Sequence, residues 1–293
     1  MVFPLILAVA EASDKEEIPL KAGDLPFASW LTNSILFTVI VIVAVLFFAR
    51  RATRNMQLVP DRRQNFFEAL VEGLYSLLEG IVGRHLIGKC FGFLASIFIF
   101  LLTANWFGLI PGVGTIGWGV SKTGSSLPLA LDHVSQPLLR PASADLNMTL
   151  GLAAVAMVLW LIWSLQEVGL KGFLLHIFGP KGGMTGLLGA VLVPVFFLIG
   201  ILEVVSIATR PVSLSLRLFG NIYAGENILH LMGNIGAEQM GLTGIPAFLS
   251  SVIIPIPFYG LEIVVGLLQA FIFMLLCAVY IQLSTTHEEE GTH

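Results

Sequence analysis

The run Leu187-Leu-Gly-Ala-Val-Leu-Val-Pro194-Val-Phe-Phe-Leu-Ile-Gly-Ile-Leu-Glu203-Val-Val-Ser206-Ile-Ala-Thr-Arg210-Pro211-Val-Ser-Leu-Ser-Leu-Arg217-Leu-Phe-Gly-Asn221-Ile-Tyr-Ala-Gly-Glu226-Asn-Ile-Leu-His230-Leu-Met232 is apolar at most positions, with single charges set into it. A helix over such a stretch extends roughly 60 Å, twice the ~30 Å hydrocarbon core of a bilayer. A second stretch of this kind runs from about Ile245 to Leu283. Each either divides into two spans or forms one steeply tilted helix. The total is then seven spans or five, and the C-terminus lies on the same side in both cases.

The rest of the chain agrees with a membrane setting. Of 293 residues, 56% are hydrophobic and 12% charged, and the mean hydropathy is +0.89. A soluble fold needs more polar covering than this. The composition excludes a soluble enzyme, a disordered chain and a nucleic-acid binder, the last also because the net charge is −4. No phosphate loop or nucleophile elbow occurs, and the six histidines suggest no haem pair. Cys90 and Cys277 are far apart in apolar runs and read as buried bystanders. The residues call for no cofactor and no metal.

The class is an all-α polytopic membrane protein. Helices are expected at about 30–48, 89–111, 147–166, 187–232 and 245–285. An outer N-terminal arm (1–29) precedes this membrane domain (30–285), and an acidic tail (286–293) follows it. Arg50, Arg51, Arg54, Arg62 and Arg63 follow the first span and mark the cytoplasmic side. The N-terminus is therefore outside, and the tail with Glu288, Glu289 and Glu290 is cytoplasmic. Residues 64–86 alternate apolar and acidic positions at helical spacing, so an amphipathic helix is expected on the interface or against partner helices. Residues 113–146 are rich in Gly, Ser and Pro and read as an outer loop. Glu167, Lys171, His176 and Lys181 populate a short cytoplasmic connection.

Ionisable groups inside spans are costly, so each needs a reason. Glu203, Ser206, Arg210, Ser213, Arg217 and Asn221 fall within about 80° of one another on a helical wheel. A stripe of this kind must face protein or water. Arg217 is the sharpest of these residues, because its guanidinium stays protonated and can hold a carboxylate ionised. Arg210, next to Pro211, is expected to snorkel toward the cytoplasm. Glu262 and Gln269 are seven apart and share a face, and Gly266 between them lets another helix approach. Glu226 and Glu262 suit reversible protonation and can meet across a hairpin. Asp145 stands where the outer loop enters a span and reads as a helix N-cap.

Four ordered segments then carry a resemblance. Pro211-Val-Ser-Leu-Ser-Leu-Arg217-Leu-Phe-Gly-Asn221-Ile-Tyr-Ala-Gly-Glu226 resembles the signature of subunit a of the F-type ATP synthase membrane sector. Leu268-Gln269-Ala-Phe-Ile-Phe273 resembles its second signature. Asn105-Trp-Phe-Gly-Leu-Ile-Pro111-Gly112 and Ser143-Ala-Asp145-Leu-Asn147-Met-Thr149 resemble two further segments. The resemblance implies five spans, the last two long and tilted as a hairpin along a ring of c subunits. It implies a non-catalytic, proton-conducting stator subunit of a bacterial inner-membrane ATP synthase, partnered by that ring, by the subunit b peripheral stalk and by the remainder of the complex.

By the same resemblance Arg217 faces the ring's essential carboxylate. Asn221, Glu226, Glu262 and Gln269 line or adjoin aqueous half-channels, and Glu203 and Ser206 mark the cytoplasmic exit. Asp145 is placed with the half-channel residues. Where some relatives carry His, this chain carries Glu262, which leaves two carboxyls at the inlet. The loop 113–140 is longer than the family suggests and is given no task. The rival expectation is an independent ion-coupled secondary transporter.

Overall fold

A computed structural model describes residues 24–25, 28–54, 56–57, 61–110, 113, 117–120, 126–130, 134–179, 187–238, 240–241 and 245–285. Most of the expected N-terminal arm and all of the tail 286–293 lie outside the described residues. Helices dominate, because in a bilayer every backbone N–H and C=O must be satisfied within the chain. They are α1 (Asn33–Thr53), α2 (Arg62–Val82), α3 (Arg84–Gly108), α4 (Leu146–Phe178), α5 (Leu187–Glu238), α6 (Ile245–Ile253) and α7 (Ile256–Thr285). Five stretches are long and apolar enough to cross a membrane: Asn33–Thr53, Arg84–Gly108, Leu146–Leu175, Pro194–Ile235 and Leu249–Ser284. The choice between five and seven is thus settled at five.

Local chemistry sets the ends of these helices. Arg50 and Arg51 occupy the last turn of α1, where cations complement the carbonyl end of a helix. Asp61 caps α2, its carboxylate accepting from Arg62 N at 2.8 Å. Gly83 stops α2 at φ 87°, its N–H donating to the Glu79 carbonyl at 2.9 Å. α5 is one helix of 52 residues despite Pro194 and Pro211.

Three expectations need adjustment. The helix placed at 147–166 continues to Phe178, with a break at Gly169, whose φ of 73° ends one helical segment and starts the next. Glu167, Lys171 and His176 therefore lie on a helix, not in a connection. The helix placed at 245–285 is divided at Ile254 and Pro255, because proline has no N–H to donate and forces the preceding residue out of the helical region. Five short strands also occur, in segments read as an arm, the start of the first helix and a loop.

The strands are β1 (Asp24–Leu25), β2 (Ala28–Thr32), β3 (Gly117–Val120), β4 (Ser126–Ala130) and β5 (Val134–Pro137). β1 pairs antiparallel with β2, and β3 stands between β4 and β5. Pro128 and Pro137 lie in the two outer strands of that sheet, where a missing donor breaks no central ladder.

The chain divides into two compact units. Unit one is Met1–Ile40, Ala104–Asn147 and Phe219–Leu267; unit two is Val41–Thr103, Met148–Leu218 and Leu268–His293. Unit two holds a continuous core in which Leu78, Leu94, Leu101, Leu214, Leu218, Phe273 and Met274 are buried. The second half of α2 packs on this core, while Phe66, Phe67, Leu70 and Val71 of its first half are exposed. Lys89 and His85 both reach Glu167, joining α3 to α4 within unit two. In unit one, α3 meets α7 through side chains taken up below.

Candidate functional site

The residues singled out by the sequence fall into two groups, one in each unit. In unit two, Arg217 rides on α5 and is exposed. On the same segment Leu214, Ser215 and Leu218 are buried. Ser215 is held by Thr149 of α4, hydroxyl to hydroxyl at 3.0 Å. The buried face of α5 is thereby fixed, and Arg217 stands exposed at its edge. Among the described residues Arg217 forms no ion pair. A guanidinium on an apolar outer surface without an internal counter-ion has its fork of donors free for a ligand outside the chain.

Glu203 pairs with Arg210 at 3.7 Å, not with Arg217. Ser206, one turn from Glu203, is exposed, and its carbonyl accepts from the Thr209 hydroxyl at 2.9 Å. The Arg210 side chain is 16% exposed. Its guanidinium carbon lies 5.5 Å from the ring centre of Trp160 and 4.9 Å from that of Tyr280. Gln269, on α7, is 2% exposed and so belongs to the interior of this unit.

In unit one, Glu262 of α7 is 6% exposed, and its carboxyl lies against the backbone of α5 at Gly225. A β-carbon at Gly225 would overlap all three carboxyl atoms. Glu226 follows directly and is half-buried, within electrostatic reach of both Glu262 and Arg140. Asn221 is exposed on α5.

The rest of unit one supports this acidic pair. Asn105 donates through Nδ2 to the Gly266 carbonyl at 3.1 Å and accepts from the Ser143 hydroxyl at 2.8 Å. Trp106 Nε1 donates to the Ile263 carbonyl at 3.1 Å. The end of α3 is thus tied to α7 one turn beyond Glu262, and Gly266 provides the close approach, with the Asn105 β-carbon 3.1 Å from where its own would be. Asp145 is buried at the start of α4, and its carboxylate accepts from Asn147 N at 3.1 Å, which is the geometry of an N-cap. No group of three or more metal-ligating side chains occurs among the described residues.

Sequence reasoning missed Arg140. It is 4% exposed, donates through Nη2 to the Ala144 carbonyl at 3.0 Å and lies within electrostatic reach of Glu226. Its signal was available: it is a single basic residue five positions ahead of Asp145 in an otherwise uncharged stretch. Gly225 was also missed, because a glycine in a helix announces no contact until the partner is known.

Comparison with known proteins places these features in a family. The family model described as ATP synthase A chain matches residues 34–282. A protein from Protochlamydia amoebophila named ATP synthase subunit a is 32% identical over 263 residues, covering 88% of this chain and 82% of that protein. One of the same name from Campylobacter fetus subsp. fetus is 31% identical over 269 residues, covering 92% and 96%. A third, from Citrifermentans bemidjiense, is 29% identical over 264 residues, covering 90% and 92%.

Proposed function

Because this chain belongs to the ATP synthase A chain family, we propose that it is the proton-conducting part of the stator in a bacterial inner-membrane F-type ATP synthase, with Arg217 facing the carboxylate of a rotating ring of c subunits. The N-terminus lies outside and the C-terminus in the cytoplasm. Subunit b and the rest of the complex hold the chain still while the ring turns. The two long C-terminal stretches lie tilted along the ring.

A proton enters from outside by way of Glu226 and Glu262, with Asn221, Gln269 and Asp145 lining or adjoining the inlet. It neutralises a ring carboxylate, which then faces lipid without the cost of a bare charge. When the site returns, Arg217 favours its ionised form, and the proton leaves past Glu203 and Ser206. Arg217 cannot carry the proton itself, and its charge repels any cation that would pass straight from inlet to outlet. A potential of about 100 mV contributes about 2.3 kcal/mol per charge, so several protons drive each ATP formed.

The observation that carries this reading is the exposure of Arg217 on a segment of α5 whose Leu214, Ser215 and Leu218 are buried. A cation placed there costs about 3 kcal/mol on insertion scales, which a facing carboxylate offsets. The test is ATP-driven proton pumping by the whole complex in vesicles. Arg217→Ala abolishes pumping, and Arg217→Lys fails too, since a compact ammonium does not reproduce the planar fork. Full pumping by both variants rejects the role.

A further inference from the structure

Arg210 has a setting unlike that of any other cation in the described residues. Two aromatic rings from two other helices close on it: Trp160 of α4 at 5.5 Å and Tyr280 of α7 at 4.9 Å, measured from the guanidinium carbon to the ring centres. The Trp160 ring is tied to the backbone of α7, its Nε1 donating to the Tyr280 carbonyl at 2.6 Å. Glu203, two turns back on α5, completes the enclosure at 3.7 Å, and the Arg210 side chain is left 16% exposed. A guanidinium stacks on aromatic faces in this way with more directional preference than an ammonium, and the contact strengthens as water is removed. The clamp lies wholly within unit two and gathers α4, α5 and α7 at one point.

Its position on α5 gives it a consequence. The next residue is Pro211, which lies inside the helix and donates no N–H to the Ile207 carbonyl. Helices bend most readily where a rung is missing. A fixed point on one side of such a rung decides where the following segment is aimed. That segment carries Leu214, Ser215 and Leu218 into the interior and Arg217 outward.

We propose that Arg210 is a positioning residue: clasped by Trp160, Tyr280 and Glu203, it sets the rotation of α5 across the rung missing at Pro211 and so presents Arg217 to the partner ring. This inference rests on the role given to Arg217 above. Arg210 touches neither the proton nor the ring; it acts through Arg217.

The test measures protons pumped per ATP hydrolysed by the whole complex in vesicles, normalised to assembled complex. Loss of packing alone lowers the amount assembled and leaves this ratio unchanged. With Arg210→Gln the ratio falls by about tenfold, the effect of losing one desolvated cation–π contact. Arg210→Lys, which keeps a cation between the rings, restores most of it. Trp160→Leu and Tyr280→Leu, which leave the cation but remove a wall, each lower the ratio, whereas Trp160→Phe, which keeps an aromatic face, preserves it. An unchanged ratio in Arg210→Gln overturns the proposal. Should that variant not assemble, unchanged ratios in both leucine variants overturn it equally. Arg217→Ala, run in parallel, separates the two claims: if it pumps, the reading of Arg217 falls; if it is dead while Arg210→Gln and the leucine variants stay fully coupled, only the positioning role falls.

Discussion

At the scale of single residues, the decisive contact in unit one is between a carboxyl and a glycine. Glu262 presses on α5 where Gly225 has no side chain. In Gly225→Ala the new methyl would occupy the volume of the Glu262 carboxyl, so either the carboxyl swings away or the helices part. Interior packing leaves little room for the second outcome without wider loss. Proton pumping is expected to fall at least as far as in Glu262→Gln, with the complex still assembled, and pumping at the unmodified level would deny the contact any part in conduction. Arg140 gives a second prediction. Two carboxyls in a low-dielectric setting need a compensating cation, and Arg140 is the one within reach of Glu226. Arg140→Gln is expected to lower pumping, and adding Glu226→Gln should cost less in that background than alone, because the two act on one charge balance. Strict additivity in the double-mutant cycle would show them to be independent. Arg217, Glu226 and Glu262 were legible in the sequence because an ionisable residue in an apolar run is an outlier. The partners of Arg210 were not: Trp160 and Tyr280 look like any aromatic in an apolar helix, and only folding brings them to one guanidinium.

At the scale of elements, the sequence located helices well and their interruptions poorly. Apolar length and flanking charge are strong signals for a span, and α1 and α3 stand close to where they were expected. Breaks are set by one or two residues. Pro255 divides the last stretch into α6 and α7, while Pro211 leaves α5 continuous. The same residue type has two outcomes because a helix tolerates a missing rung where neighbouring helices hold both sides, as Arg210 and Ser215 do here. Gly169 is the other break. Its φ of 73° and ψ of 163° lie in a region that residues with a side chain scarcely enter. Gly169→Ala is therefore expected to destabilise the protein by about 1–3 kcal/mol. Nothing stands within 4 Å of where its β-carbon would be, so backbone strain and not collision is the cause. Thermal unfolding of the detergent-solubilised complex measures this, and an unshifted midpoint would mean that the segment straightens into continuous helix at no cost. The strands β3 to β5 escaped sequence reading because they are four or five residues long and two contain proline, which ordinarily argues against a strand.

At the scale of the whole molecule, the outward surface is the informative one. Val43, Phe47 and Phe48 of α1 and Leu198, Leu202 and Val205 of α5 are among many large apolar residues that remain exposed. A bilayer covers such side chains at no cost, but it does not cover Arg217. That asymmetry separates the two functions the sequence left open. A self-sufficient carrier keeps its charged binding groups facing one another inside its own fold, so that a substrate can cross without a second protein. Here the permanent cation is exposed, and Glu203, the acid that precedes it on α5, is already engaged by Arg210. Under the proposed function, a proton arriving at Glu226 and Glu262 is passed to a carboxylate of the partner ring, not to a group of this chain. The purified chain, inserted alone into vesicles under a potential of about 100 mV, is accordingly expected to conduct no protons above the lipid background, although about 2.3 kcal/mol per charge is available to drive them. Vesicles holding the chain together with a ring of small two-helix proteolipids should conduct, and replacing Arg217 by Ala in those vesicles should uncouple the flow from rotation. Sustained proton uptake by the chain alone would instead mean that its two polar groups connect without a partner, and the assignment of Arg217 to an external carboxylate would have to be abandoned.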